Sequence, residues 1–356
     1  MSFMKKNYST YPRLIRAAKK VSRTLCNELG DNLVAVYVYG SLARGDYRKS
    51  SDVDLHIVLK DYAQAKDIPH TKWVGNIPVG VSPHPLSFYQ TNPEWILEHI
   101  ATAAGWEGLW ELVKVKVLYD PDNLVSSFQE RIAPILSNQL LLKSRAEISF
   151  KAAKTEAAKV KKELSEGALD QAICHMYALG GGGDNYSGAA VHVLKTVVKF
   201  SGLPLTTQRI WLRFTEVCHK LNMPELQSLM EDCYGMNQLS PGTFQEIIGE
   251  ACNLVNGVIA ESLVPRETIY DLERFKLAVS EHLEKEEIEA AYVYILGVFS
   301  SYYLGLSSEG QQKQIHLKLE KLLYRASMIC CLKELEDRIE TLQKAINKIQ
   351  KELLSN

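Results

Sequence analysis

Two aspartates separated by one residue, Asp52 and Asp54, open the run Asp52-Val53-Asp54-Leu55-His56-Ile57-Val58, and a Gly40-Ser41 pair precedes them. In an extended chain, side chains two apart project to one face about 6–7 Å from each other, which sets the two carboxylates side by side. Hard oxygen donors on a rigid strand suit Mg²⁺, which takes a few carboxylates and fills its other positions from water and substrate phosphates. Gly40 lets the backbone approach a phosphate closely, and Ser41 adds a hydroxyl and an N–H. Arg44 and Gly45 are read as opening a short helix whose first amides favour an anion. This layout is expected to hold a nucleoside triphosphate and its metal, with Asp52 and Asp54 as ligands and Gly40, Ser41, Arg44 and Gly45 along the phosphates. Either half alone is an ordinary polar turn; the two together, in this order on adjoining strands, point to chemistry.

Those residues need a sheet to position them. Apolar residues at helical spacing (Leu14, Ile15, Ala18, Val21, Leu25) predict a helix over residues 10 to 30. Leu33 to Tyr39 and Val53 to Leu59 read as strands, the second apolar enough to be buried on both faces. A third strand starts at Ile77 and is expected to end early, at Pro83 and Pro85. Asn92-Pro93-Glu94 starts a helix, and Val113 to Tyr119 reads as a further strand closing at Asp120-Pro121. Beyond residue 122 the pattern is helical almost throughout. The fold class is therefore α+β, a small mixed-sheet domain followed by a large all-helical region. The expected domains are 1–122, 123–264 and 265–356.

Near the end, Leu332, Leu335, Ile339, Leu342, Ile346, Ile349 and Leu353 alternate steps of three and four, a heptad seam that serves either a homodimer through C-terminal helices or packing on its own chain. Gly180 to Gly183 with Asp184 lacks the Gly-Lys-Ser/Thr ending of a phosphate loop and reads as a helix stop. Tyr186, Trp211 and the aromatic run Tyr292 to Tyr303 read as core.

Gly40-Ser41, Arg44-Gly45 and Asp52-x-Asp54 resemble the signature of the DNA polymerase β-like nucleotidyltransferase superfamily, and within it the small-molecule, antibiotic-modifying branch. The motif likeness covers residues 33 to 60; a looser one, through Val117-Leu118-Tyr119-Asp120-Pro121 and a helical domain, runs to about residue 260. The resemblance implies an enzyme that transfers a nucleoside monophosphate, expected to be AMP from ATP, to a hydroxyl of a small polar molecule such as an aminoglycoside-like antibiotic. Asp52 and Asp54 would hold Mg²⁺, and Ser41 and Arg44 the β,γ-phosphates. Similar enzymes draw a proton-accepting carboxylate from the helical domain; the candidates are Glu156, Glu163, Glu166 and Asp170, with Glu163 carried forward. The family also places a third acid on a following strand, where this chain has Gly80 or Ser82 in Ile77-Pro78-Val79-Gly80-Val81-Ser82-Pro83-His84. The acid then comes from elsewhere, one metal suffices, or the chain is a nucleotide-binding regulator or antitoxin-like protein. A protein or RNA acceptor is a further alternative. His84 could assist, although a lone His in a Pro-rich loop is more often incidental.

The 356 residues suffice for two or three cores. Balanced charge, 41 basic against 42 acidic side chains, gives no field that advertises a nucleic acid or an anionic membrane. No apolar stretch approaches the ~20 residues of a membrane span. The seven cysteines form no Cys-x-x-Cys pair, which fits reduced thiols in the cytoplasm and argues against zinc.

Overall fold

The apolar stripe at the N-terminus makes the expected helix. In the computed structural model, which describes residues 11–105, 107–112, 114–179, 187–260, 266–305, 313–329 and 331–355, α1 runs Tyr11–Leu29 and buries Leu14, Ile15, Ala18, Val21 and Leu25. The Gly180-to-Asp184 break, Tyr186 and the expected boundary at residue 264 lie outside the described residues. Contacts divide the chain into two compact units, Met1–Leu141 and Leu142–Asn356.

The first unit is built on a five-stranded sheet of order β3-β4-β2-β1-β5. Its strands are β1 (Leu33–Val38), β2 (Val53–Leu59), β3 (Thr71–Val74), β4 (Ile77–Pro85) and β5 (Lys116–Tyr119). β1 runs antiparallel to β2 and β5, β2 runs parallel to β4, and β3 pairs antiparallel with β4. The sheet is mixed, as expected. Thr71-Lys72-Trp73-Val74 was legible as a β-branched and aromatic run before the Gly75-Asn76 turn, yet the sequence reading omits this strand.

The prolines do not end β4 early. The strand continues beside β2 through Pro83 and Pro85, which lie opposite Ile57 and Leu59. The reason is where β3 stops: its pairing reaches only Gly80, and Val81 then donates its N–H to the His70 carbonyl at 2.8 Å. Backbone groups alternate sides along a strand, so the nitrogens of Pro83 and Pro85 point the same way as that of Val81, where no described strand asks for a donor.

One face of the sheet is apolar. Val36, Val38, Val53, Leu55, Ile57, Leu59, Val79 and Val81 close a core against α1. Strand alternation sends Tyr37 of β1, Asp54 and His56 of β2, and Gly80, Ser82 and His84 of β4 to the opposite face. A short helix α2 (Gly40–Arg44) links β1 to the loop before β2. Four short helices then follow β4: α3 (Leu86–Tyr89), α4 (Pro93–Glu98), α5 (Ile100–Ala103) and α6 (Glu107–Glu111). Asn92 caps α4 as the sequence suggests, its side chain accepting from the Glu94 N–H at 3.1 Å. After β5, Asp120 caps α7 (Leu124–Ile132) by accepting from the amides of Leu124 and Val125. This helix falls within the first unit, which continues to Leu141.

The second unit is helical in every described residue that has regular structure. α8 (Gln139–Ser165), which crosses the division, is followed by α9 (Leu169–Tyr177), α10 (Ala189–Phe200), α11 (Ile210–Lys220) and α12 (Pro224–Tyr234). Then come α13 (Pro241–Ala260), α14 (Arg266–Glu284), α15 (Ile288–Gly305), α16 (Lys313–Ser327) and α17 (Leu332–Ile349). One apolar cluster joins residues from Phe150 to Leu353, with Trp211, Tyr292, Tyr294, Phe299 and Tyr303 inside it. The heptad seam of α17 faces that same core: Leu335, Ile339, Leu342, Ile346 and Ile349 are buried, against α12 among others. The face offered as a dimer contact is thus occupied by the unit's own helices. α17 also carries Arg338 into the interior, where its Nη1 donates to the Tyr177 hydroxyl at 3.3 Å. Gly235 makes room for that guanidinium, since a Cβ on it would collide with Arg338, and its φ of +71° is a conformation glycine adopts freely.

Candidate active site

The Gly-Ser turn forms because the chain reverses directly out of β1. Gly40 stands at φ +72° and begins α2, and Gly45, at φ +83°, ends it by donating its N–H to the Ser41 carbonyl at 3.0 Å. This corrects one expectation. Arg44 and Gly45 close the helix rather than open it, so the first amides are those of Gly40 and Ser41. The left-handed glycine is a helix stop.

The loop after α2 is stitched back onto the turn. Ser41 Oγ donates to Ser51 Oγ at 2.9 Å, and Ser51 Oγ also accepts from the Arg48 N–H at 2.9 Å. Arg44 Nε lies 3.3 Å from an Asp46 oxygen, and Lys114 Nζ donates to the Arg44 carbonyl at 2.9 Å. Ser50, Ser51 and Arg48 are buried. The short run between the two motif halves is therefore fixed, and it delivers Asp52 to the start of β2. There the Tyr39 N–H donates to the Asp54 carbonyl at 3.2 Å and joins the turn to the strand.

Asp54 lies between two glycines. A Cβ on Gly40 would come to 3.7 Å from Asp54 Oδ2, and one on Gly80 to 2.9 Å from Asp54 Oδ1. Gly80 is the β4 residue in register with Asp54, and it is one of the two positions, with Ser82, where the resemblance leads one to expect a third acid. Here the space a side chain would need is filled by the Asp54 carboxylate. Among the described residues, no three His, Cys, Asp or Glu side chains gather as a metal-binding group. Two half-buried carboxylates beside a glycine turn still fit a cation that draws its remaining ligands from phosphates and water.

Next to the aspartates lies a buried cluster that the sequence reading missed. His56, two residues after Asp54 and on the same strand face, is 2% exposed. Its Nε2 is 3.2 Å from a Glu111 carboxylate oxygen, and its Nδ1 is 2.9 Å from the Tyr37 hydroxyl. Tyr37 in turn meets the Tyr89 hydroxyl at 2.5 Å. The rings of Tyr39 and His84 lie over the His56 imidazole with centroids at 3.7 and 4.1 Å. Burial, then the neighbouring His84, holds the His56 imidazole well below its ordinary pKa, and burial takes His84 down to about 4. Burial first, then the charges of Asp54 and Glu111, raises the Tyr39 hydroxyl well above its usual value. His84 is thus part of a packed cluster of tilted rings rather than an incidental loop residue. The period-2 spacing Asp52-x-Asp54-x-His56 was the available signal for His56; Glu111 lies on another helix and gave none.

Glu163 belongs to the second unit. Its Oε1 is 3.3 Å from His175 Nε2, while Glu156 Oε2 is 3.3 Å from His175 Nδ1. Burial raises the Glu163 carboxyl, and the His175 hydrogen bond lowers that of Glu156. Of the other candidates, Glu166 pairs with Lys162 at 3.7 Å, and Asp170 accepts from the Tyr303 hydroxyl.

Residues 18–98 match the family model for a nucleotidyltransferase domain. Over 121 residues the chain is 30% identical to a protein of Methanocaldococcus jannaschii, provisionally named a protein adenylyltransferase, covering 31% of this chain and 74% of that one. The chain belongs to the nucleotidyltransferase family. A nucleotidyltransferase-like protein from Exiguobacterium sibiricum is similar at 13% identity and a TM-score of 0.35, over 85% of this chain and 89% of that one. The matched segment of this nucleotidyltransferase spans β1, the Gly-Ser turn, β2 and β4, so the family match and the candidate site coincide. No described helix is long and apolar enough to cross a membrane.

Proposed function

We propose that this nucleotidyltransferase binds ATP with Mg²⁺ and transfers AMP to a hydroxyl of a protein acceptor. The observation that carries the reading is the pairing of Asp52 and Asp54 on β2 beside the fixed Gly40-Ser41 turn, with Asp54 seated against Gly40. Ser41 and the turn amides bind phosphate oxygens, Arg44 adds positive charge, and Asp52 and Asp54 hold the cation. Bound there, Mg²⁺ supplies charge neutralisation on the phosphates and alignment of the α-phosphate with the incoming oxygen. The acceptor oxygen bonds to the α-phosphorus as pyrophosphate leaves. A protein acceptor is preferred because the name of the Methanocaldococcus relative specifies one. A small polar hydroxyl compound, as in the antibiotic-modifying branch that the motif resembles, is the second acceptor class. The absence of an acid at both Gly80 and Ser82 favours one other reading, a nucleotide-binding regulator without turnover.

The test uses purified protein with α-labelled ATP and Mg²⁺, offered a mixture of soluble proteins and, separately, an aminoglycoside. Label transfer with pyrophosphate release is expected, and its loss in both Asp52→Ala and Asp54→Ala. Magnesium-dependent ATP binding without pyrophosphate release would leave the regulator; no ATP binding at all would overturn the assignment of the site.

A further inference from the structure

The hydrogen bonds around His56 have one consistent direction. A carboxylate oxygen only accepts, and Glu111 sets one 3.2 Å from His56 Nε2, so the tautomer that suits this neighbour carries its proton on Nε2. A neutral imidazole then accepts at Nδ1, and Tyr37 must donate there with its only proton. Tyr89 consequently donates to Tyr37. In that tautomer the protons point from Tyr89 to Tyr37 to His56 and toward the Glu111 carboxylate. Glu111 is also the one member that reaches solvent, its side chain 37% exposed against 3% for His56.

This arrangement sits against the aspartate pair. His56 follows Asp54 by two residues on the same strand face, and the Tyr39 ring that covers His56 belongs to the residue immediately before Gly40. The Tyr39 hydroxyl feels the charges of Asp54, Glu111 and Asp52 together. Meanwhile Gly80 offers no acid, and Asp54 fills its space.

We propose that Glu111, aimed by His56, is the carboxylate that takes the proton from the acceptor hydroxyl, in place of an acid on β4. The inference rests on the nucleotidyl-transfer reading above. As the acceptor oxygen bonds to the α-phosphorus, its proton moves to a Glu111 oxygen. The bond from that phosphorus to the bridging oxygen of the β-phosphate breaks, and pyrophosphate leaves with the electron pair. The proton on Glu111 then passes to water. His56 is a positioning residue, and its proton stays on Nε2 throughout.

The experiment compares full-length wild type, Glu111→Gln and Glu111→Asp, with pyrophosphate release from Mg·ATP measured in the presence of the same two acceptor probes. A fluorescent ATP analogue reports nucleotide affinity. Glu111→Gln is expected to lower kcat by about 10²–10⁴-fold, the usual contribution of a positioned proton acceptor, with ATP affinity within about twofold of wild type by the same argument. Glu111→Asp, which keeps an acid, should recover part of the rate. Glu111→Gln turning over like wild type overturns the proposal, as does a loss of rate explained wholly by weaker ATP binding. A wild type that releases no pyrophosphate sinks the transfer reading itself, and this inference with it.

Discussion

Asp54 is the residue on which the geometry converges: a strand partner without a side chain on one flank, a positive-φ glycine on the other, and a backbone bond from Tyr39 behind it. Placing an acid at position 80 should therefore harm the site rather than complete it. In Gly80→Asp the new Cβ meets Asp54 Oδ1 at 2.9 Å, and the two carboxylates repel as well. Magnesium-dependent ATP affinity should fall by about tenfold or more, equivalent to about 1.4 kcal/mol, as read by calorimetric titration. An affinity equal to wild type would mean that Asp54 moves aside without cost. The aspartate pair and the Gly-Ser turn were legible in the sequence because one short segment supplies both. Glu111 was not, since a helix remote in sequence brings it to His56, and no local pattern encodes that meeting.

Strands and helices explain which expectations held. The β1 and β2 segments carry dense β-branched runs, and α1 carries a clean apolar stripe, so local chemistry and tertiary packing agree on them. β4 was misjudged because a proline's effect depends on which neighbour its nitrogen faces, a property of sheet order rather than of the strand. β2 and β4 are joined on their polar face by the His56–His84 ring pair, and this contact should be sensitive to acid. The folded pKa of His84 is about 4, below the ordinary ~6.5 of an exposed imidazole. Stability is therefore fully present above about pH 6.5 and declines as pH falls toward 4, because the unfolded chain binds a proton that the fold refuses. The slope contributed by this group approaches about 1.4 kcal/mol per pH unit at most. Urea unfolding of His84→Phe at pH 7 and pH 5 should show a smaller loss than wild type between the two. Equal losses would place the acid sensitivity elsewhere.

At the scale of the molecule, the two apolar clusters share no residue, one built on the sheet and α1, the other on the helices from Phe150 onward. Separate cores predict separable melting. Calorimetry should resolve two transitions, and saturating Mg·ATP should raise only the one belonging to the first unit, by about 2.7 kcal/mol at a hundredfold excess over Kd. Tryptophan emission identifies that transition, because Trp73, Trp95, Trp106 and Trp110 precede residue 142 and only Trp211 follows it. A single transition, raised as a whole by the nucleotide, would mean that the units unfold as one. The helical region was legible as a class but not as a single core, since amphipathic spacing tells that a helix buries a face and is silent about its partner; the seam of α17 suits a second copy as well as α12. The prolines of β4 have a consequence of another kind. Beyond Val81 that strand has no described strand on its outer side, and an open row of backbone donors is what lets one chain recruit a strand from another. Pro83 and Pro85 remove the donors from that row. A strand edge without those donors is a poor template for pairing with another chain, at the strand that flanks the aspartates.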